Sequence, residues 1–129
     1  LPAAIAAKLR HPERSVVCFA GDGCFMMYPQ ELATAMQYGA AVVVIVVNNG
    51  MLGTIRMHQE REYPGRPVAT KLANPDCVAL ARAFGAHAER VTQTADFAAA
   101  FARASKSGLP ALIELCVDPR QITPQARLA

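Results

Sequence analysis

The stretch AVVVIVV, residues 41–47, is apolar at every position. A strand with one face in water alternates polar and apolar residues, whereas a strand covered on both faces has no polar side to show. An unbroken run of this kind belongs in the middle of a parallel sheet. Parallel strands cannot be joined by a tight turn and need longer crossovers, usually helices. The rest of the chain supplies candidates. Pro2 to Leu9 reads as a helix with its proline in the first turn, where a missing N–H costs nothing. Ser15 to Ala20 reads as a strand. Pro29 to Tyr38 has helical spacing, with Leu32, Ala35 and Met36 on one side and Gly39 closing it. Leu52 to Glu62 reads as an exposed, charged helix, followed by the loop YPGRPVATKLANP. Asn74 as N-cap and Pro75 at the first helical position open a helix to Phe84. Ala88 to Val91 is a short strand. Thr94 to Ser107 is a helix with Phe97, Phe101, Ala98, Ala102 and Ser105 on one face. Ala111 to Val117 is a last strand, and the rest is a tail. Strands and helices alternating at this spacing predict an α/β fold: a doubly wound, mostly parallel sheet with helices on both faces.

Composition limits the classes of function. At 129 residues the chain has the length of one domain, and with 53% hydrophobic residues it can build a core. Charged residues make up only 18%, which implies that part of the surface is covered by something else. The net charge of +3 is scattered rather than gathered into a basic stripe, so nothing tracks a nucleic-acid backbone. The longest apolar run, Gly39 to Val47, is far too short to span a membrane as a helix. The first residues, LPAAIAAKLRHPERS, have no signal-peptide pattern and read as helix interior, so the chain is expected to be a piece of a longer protein and its domain incomplete. Cys18, Cys24, Cys77 and Cys116 form no C-x-x-C pair and no zinc pattern. Cys18 and Cys116, in strand-like runs, are expected to be buried reduced thiols of a cytoplasmic protein, while Cys24 lies beside a glycine loop.

Two loops leave the carboxyl ends of strands, where sheets of this class bind ligands. The first is Gly21-Asp22-Gly23-Cys24 and the second Asn48-Asn49-Gly50-Met51. Glycines on either side of Asp22 allow unusual backbone angles and close approach of another group. If the two strands are parallel, Asp22 and Asn49 lie at the same edge of the sheet. A carboxylate with an amide oxygen and a backbone carbonyl makes half a shell for Mg²⁺, which readily takes phosphate oxygens for the remainder. Main-chain N–H groups and a helix N-terminus would favour the same anion. Other readings fit less of the pattern. A dinucleotide fingerprint needs a third glycine where Met26 stands, and a Walker A loop needs Gly-Lys-Ser/Thr. Two unrelated structural turns remain the plain alternative, since Asn-Gly is a common turn.

The segment GDGCFMMYPQELATAMQYGAAVVVIVVNNGMLG resembles the cofactor-binding signature of thiamine-diphosphate-dependent enzymes, which opens with G-D-G and closes with N-N. LPAAIAAKL and PALIELCVDPRQITP extend the likeness to the carboxyl-terminal diphosphate-binding domain of the acetolactate-synthase and decarboxylase branch. The resemblance implies a Mg²⁺ ion held by Asp22, Asn49 and the Met51 carbonyl. It also implies N–H groups of Gly23 and Cys24 on the diphosphate of thiamine diphosphate, with Gly21, Leu52 and Gly53 alongside. Family members often have Ser in place of Cys24, and a thiol is the weaker hydrogen-bond partner. The chemistry implied is conversion of a 2-keto acid, with the cofactor as electron sink. In the family, a glutamate from another domain of the neighbouring subunit contacts the aminopyrimidine. An apolar residue upstream of G-D-G bends the cofactor. The resemblance therefore implies a fragment of a lyase or transferase that is homo-oligomeric, dimer or tetramer, with no catalytic residue of its own and no turnover alone. His58 stands where acetolactate synthases commonly carry Trp, beside the substrate entrance. A simple benzoylformate- or pyruvate-type decarboxylase, and a non-catalytic module binding the cofactor or a nucleotide, stay open as alternatives. Tyr28 and Gln30 are expected at packing or interface positions. His11 and His87 are expected to be structural, and Glu60, Arg61 and Glu62 a solvated charge run.

Overall fold

The computed structural model describes residues 1–121 and Arg127; the tail beyond Gln121 lies otherwise outside the described residues. The elements in order are α1 (Pro2–Arg10), β1 (Val17–Gly21), α2 (Asp22–Phe25), α3 (Glu31–Gln37), β2 (Val43–Asn48), α4 (Gly53–Glu62), α5 (Cys77–Ala83), β3 (His87–Val91), a short 3₁₀ turn (Thr94–Asp96), α6 (Phe97–Lys106) and β4 (Ala111–Cys116). The strands make one four-stranded sheet in the order β1-β2-β4-β3, parallel throughout.

The all-apolar run occupies an interior strand because both of its faces are used. Val42, Val44 and Val46 point into one layer, with Leu32 and Ala35 of α3 and Cys77, Val78 and Ala81 of α5. Val43 and Ile45 point into the other, against Ala100 and Ala104 of α6. Handedness explains this division. The chain steps from β1 to β2 and on past it to β3 in one direction, then returns to β4 between them. Right-handed crossovers then put α3 and α5 on one face and α6 on the other. The α6 layer is the smaller, and on edge strand β1 it leaves Phe19 at 72% exposure.

Several boundaries and faces depart from expectation. The interior strand begins at Val43, because Ala41 and Val42 still bond back to Gly39 and Ala40. The helix expected from Thr94 starts with the 3₁₀ turn. Its buried stripe is Phe97, Ala100, Phe101 and Ala104, the i, i+3, i+4, i+7 set, while Ala98, Ala102 and Ser105 are exposed. Cys116, expected to be buried, is exposed at the end of β4, and Cys18 is half-buried; all four cysteines are free. Glu60 is not part of a solvated run. It is half-buried, accepts from Gly65 N–H at 2.9 Å and lies 3.6 Å from Arg56. Tyr28 and Gln30 are exposed, which excludes packing within the chain and is compatible with an interface position. His87 bonds to Glu89 at 2.9 Å. Among the described residues no helix is long and apolar enough to cross a membrane.

Candidate functional site

With all strands parallel, Gly21 at the end of β1 and Asn48 at the end of β2 lie at the same rim of the sheet. A cavity of about 320 Å³ opens there, lined among others by Gly21, Asp22, Gly23, Cys24, Asn49, Met51, Leu52 and Gly53. Every residue expected to touch the cofactor or the metal therefore borders one space, although two separate loops supply them.

The first loop is tighter than a glycine loop. Gly21 has φ −67° and ψ 159°, ordinary extended backbone, and the helical turn α2 begins at once with Asp22. The unusual angles expected of Gly21 are not used. A methyl group there would meet no atom of the chain within 4 Å, so the bare main chain faces open space. Asp22 is 2% exposed. Its Oδ1 accepts from Gly23 N–H at 3.0 Å. Its Oδ2 accepts from Gly50 N–H at 2.9 Å and from Asn74 Nδ2 at 2.6 Å.

The second loop turns on its own side chains. Asn48 Oδ1 accepts from Gly50 N–H at 3.0 Å, and Asn49 Oδ1 from Met51 N–H at 3.1 Å. Gly50 sits at φ +66°, a left-handed conformation that glycine adopts without strain. This turn is what brings its N–H to Asp22. Asn49 Nδ2 lies over Gly53, where an added Cβ would stand 2.8 Å from it. A side chain at the start of α4 would have to push the Asn49 amide aside. Met51 is 8% exposed, and its sulfur receives Arg56 Nη1 at 3.4 Å. His58, on α4, is exposed.

Asn74 is the principal correction. Read locally, Asn-Pro is a helix start, but the cap of α5 is Asp76, whose side chain accepts from Ala79 N–H at 2.9 Å. Asn74 instead reaches back to the rim. The loop before it pairs with the second loop, through Leu52 N–H to Thr70 C=O at 2.8 Å and Leu72 N–H to Gly50 C=O at 2.9 Å. That pairing delivers Asn74 to Asp22 and, at 3.1 Å, to Asn48 Oδ1. Asn48 in turn donates through Nδ2 to Glu114 Oε1 at 2.7 Å. Glu114, 2% exposed in the middle of β4, also accepts from Arg90 Nε at 2.7 Å. Arg90 Nη2 donates to Asp76 Oδ1 at 2.8 Å. Since Asp76 and Asn74 are separated only by Pro75, the bonds close into a ring.

Electrostatics follow these contacts. Arg90 is held charged beyond its usual range by its bond to Glu114 first and to Asp76 second. The Ala79 N–H, then Arg90, holds the Asp76 carboxyl below the usual range. Burial, aided by the charge of Glu114, pushes the Cys77 thiol up to about 11.

Asn74 and Glu114 were missed, and Asn48 and Gly50, named in the second loop, were given no role. For Glu114 a signal existed: a lone acid inside the apolar strand ALIELC demands a buried partner. The donor set suits a hard, oxygen-seeking cation that brings much of its own coordination. Asp22 could offer a carboxylate, Asn49 an amide oxygen and Met51 a carbonyl, and no cluster of three or more His, Cys, Asp or Glu is present among the described residues. One carboxylate is what Mg²⁺ typically takes from a protein when phosphate oxygens complete the shell.

Comparison with known proteins bears on the same site. The family described as thiamine pyrophosphate enzyme, C-terminal TPP binding domain, matches residues 1–115. The acetolactate synthase large subunit of Parasynechococcus marenigrum (strain WH8102) is 40% identical over 119 residues, which are 91% of this chain and 19% of that protein. The acetolactate synthase isozyme 2 large subunit of Escherichia coli (strain K12) is 36% identical over 119 residues, 92% of this chain and 22% of that one. The thiamine diphosphate-dependent 4-hydroxybenzoylformate decarboxylase of Rhodococcus jostii RHA1 superposes with a TM-score of 0.85 at 34% identity, over 92% of this chain and 22% of that one. The chain thus spans about a fifth of the length of these relatives.

Proposed function

This chain belongs to the C-terminal cofactor-binding domains of thiamine-diphosphate-dependent enzymes, on the acetolactate-synthase branch, and on that premise we propose that it grips the diphosphate of thiamine diphosphate through Mg²⁺ as one part of a larger 2-keto-acid carboligase or decarboxylase. Asp22, the Asn49 amide oxygen and the Met51 carbonyl hold the ion. The Cys24 N–H and, once released from Asp22 Oδ1, the Gly23 N–H serve the diphosphate, with Gly21, Leu52 and Gly53 completing the wall. One observation carries the reading: a buried carboxylate and an amide from separate loops border one cavity at the carboxyl rim of the sheet. Bound there, the cofactor supplies an electron sink for decarboxylation of a 2-keto acid. This chain's own residues bind and orient, and the reacting end of the cofactor is served from outside it, by other domains and a second subunit of a homo-oligomer.

Calorimetry on the full-length protein tests the binding. Thiamine diphosphate is expected to bind with Mg²⁺ and not without it, and NAD not at all. Asp22→Ala is expected to abolish the metal-dependent binding. Asn49→Ala should weaken it less, because a neutral amide contributes less to a divalent ion than a carboxylate. Binding of NAD in place of thiamine diphosphate, or wild-type affinity in both variants, would overturn the assignment. A simple decarboxylase is the second reading, favoured by the likeness to the Rhodococcus enzyme. Products formed from pyruvate separate the two, acetolactate supporting the carboligase and aldehyde alone the decarboxylase.

A further inference from the structure

We infer that Asn74, Asn48 and Glu114 are positioning residues that set the Asp22 carboxylate for the cation, an assignment that rests on the metal reading above. Carboxylates terminate the hydrogen-bond path from Glu114 to Asp22 at both ends, and a carboxylate offers acceptors only. Donors must therefore face outward at both ends. Asn48 can satisfy Glu114 only with its Nδ2, which turns its Oδ1 toward Asn74 and Gly50. Asn74 then meets Asn48 Oδ1 and Asp22 Oδ2 with the same amide nitrogen. The orientation of each amide is dictated by its neighbour, starting from Glu114, itself fixed by Arg90 across the strand pair.

The consequence falls on Asp22. Its Oδ2 is held by Gly50 and Asn74 together, and the turn that presents Gly50 is closed by Asn48. Both restraints on that oxygen thus trace to the same path. Removing Asn74 frees one side of the carboxylate. Replacing Glu114 by Gln presents an amide nitrogen to either Asn48 or Arg90, and a donor facing Asn48 Nδ2 forces that amide to turn over. Groups that orient metal ligands in this way are typically worth about 10- to 100-fold in metal affinity.

The test is Mn²⁺ binding, followed by paramagnetic resonance, to the full-length protein in saturating thiamine diphosphate. Asn74→Ala, Glu114→Gln and the double variant are compared with wild type and Asp22→Ala, and circular dichroism checks the fold. Asp22→Ala is expected to lose Mn²⁺. Asn74→Ala and Glu114→Gln are each expected to weaken Mn²⁺ about tenfold with the fold intact, and the double variant to be little worse than either single one. A merely structural role would lower thermal stability and leave Mn²⁺ affinity alone. Single variants within twofold of wild type, or fully additive losses, overturn the inference while the metal reading stands. Retention of Mn²⁺ by Asp22→Ala overturns both. Should Glu114→Gln fail to fold, Asn74→Ala, on a half-buried loop, decides alone: tenfold weakening upholds the inference and wild-type affinity overturns it.

Discussion

At the scale of single residues, two of the three glycines on the cavity wall, Gly21 and Gly53, serve opposite neighbours. A methyl at Gly53 would stand 2.8 Å from Asn49 Nδ2 and press on that amide, whereas one at Gly21 would touch nothing of the chain within 4 Å. Gly53→Ala should therefore displace the Asn49 amide and weaken Mg²⁺-dependent cofactor binding about tenfold, the lower end of the range for disturbing a group that orients a metal ligand. Gly21→Ala should leave the thermal midpoint of the empty protein unchanged and lower cofactor affinity, since any space it fills belongs to the ligand. Thermal melts with and without thiamine diphosphate and Mg²⁺ read both. Equal melting and equal affinity in both variants would mean that the wall is not where the cofactor lies. Asp22 was legible from its flanking glycines and its place after a strand. Asn74 was not, because the dipeptide Asn-Pro carries a strong local capping signal, and only the pairing of Thr70 and Leu72 with the second loop turns the side chain away from α5.

Elements were legible where periodicity was strong and misplaced where tertiary bonds decide the ends. β2 declared itself by an unbroken apolar run, and its partners followed from the alternation of helices and strands. The start of α5 did not, because Asn74 and Asp76 are both good caps and tertiary contact chose between them. The choice has a pH signature. The Asp76 carboxyl is held below its ordinary value of 3.8 by the Ala79 N–H and Arg90. A group depressed in the folded state contributes stability above its unfolded pKa and loses it as pH falls through the folded value. Asp76→Ala should lower the thermal midpoint at pH 7, and the gap from wild type should close below about pH 3.8. Melts across that range would contradict the capping assignment if the gap were constant. Helix α6 shows the converse limit: its helical character was plain and Phe97 and Phe101 were on the right face, yet the rest of the stripe was rotated by about one residue step, since Ala is nearly neutral in the pattern and only packing on β4 and β3 selects Ala100 and Ala104.

For the molecule as a whole, the parallel sheet is the feature from which the site follows. Four strands running the same way bring the exits of β1 and β2 to one rim, and that convergence could be argued from two loops and an apolar strand. The network behind the rim could not. Its members come from β1's exit, β2, the loop before α5, β3 and β4, and they meet only when strand order places Glu114 beside both Asn48 and Arg90. That order, with β4 inserted between β2 and β3, is a property of the assembled sheet and leaves no local trace beyond one acid in an apolar strand. One face of β1 is mostly bare, with Phe19 exposed.

Because Asn74 bonds to Asp22 on the cavity wall and Asp76, two residues on, caps α5, the closed path of bonds would couple ligand occupancy to the helix. Loosening at the rim and fraying of the first turn of α5 become one event rather than two. The amides of Ala79 and Leu80, which bond to Asp76, should then exchange with deuterium more slowly once thiamine diphosphate and Mg²⁺ are loaded. Exchange at those amides that ignores loading would show the cap and the cavity to be mechanically independent.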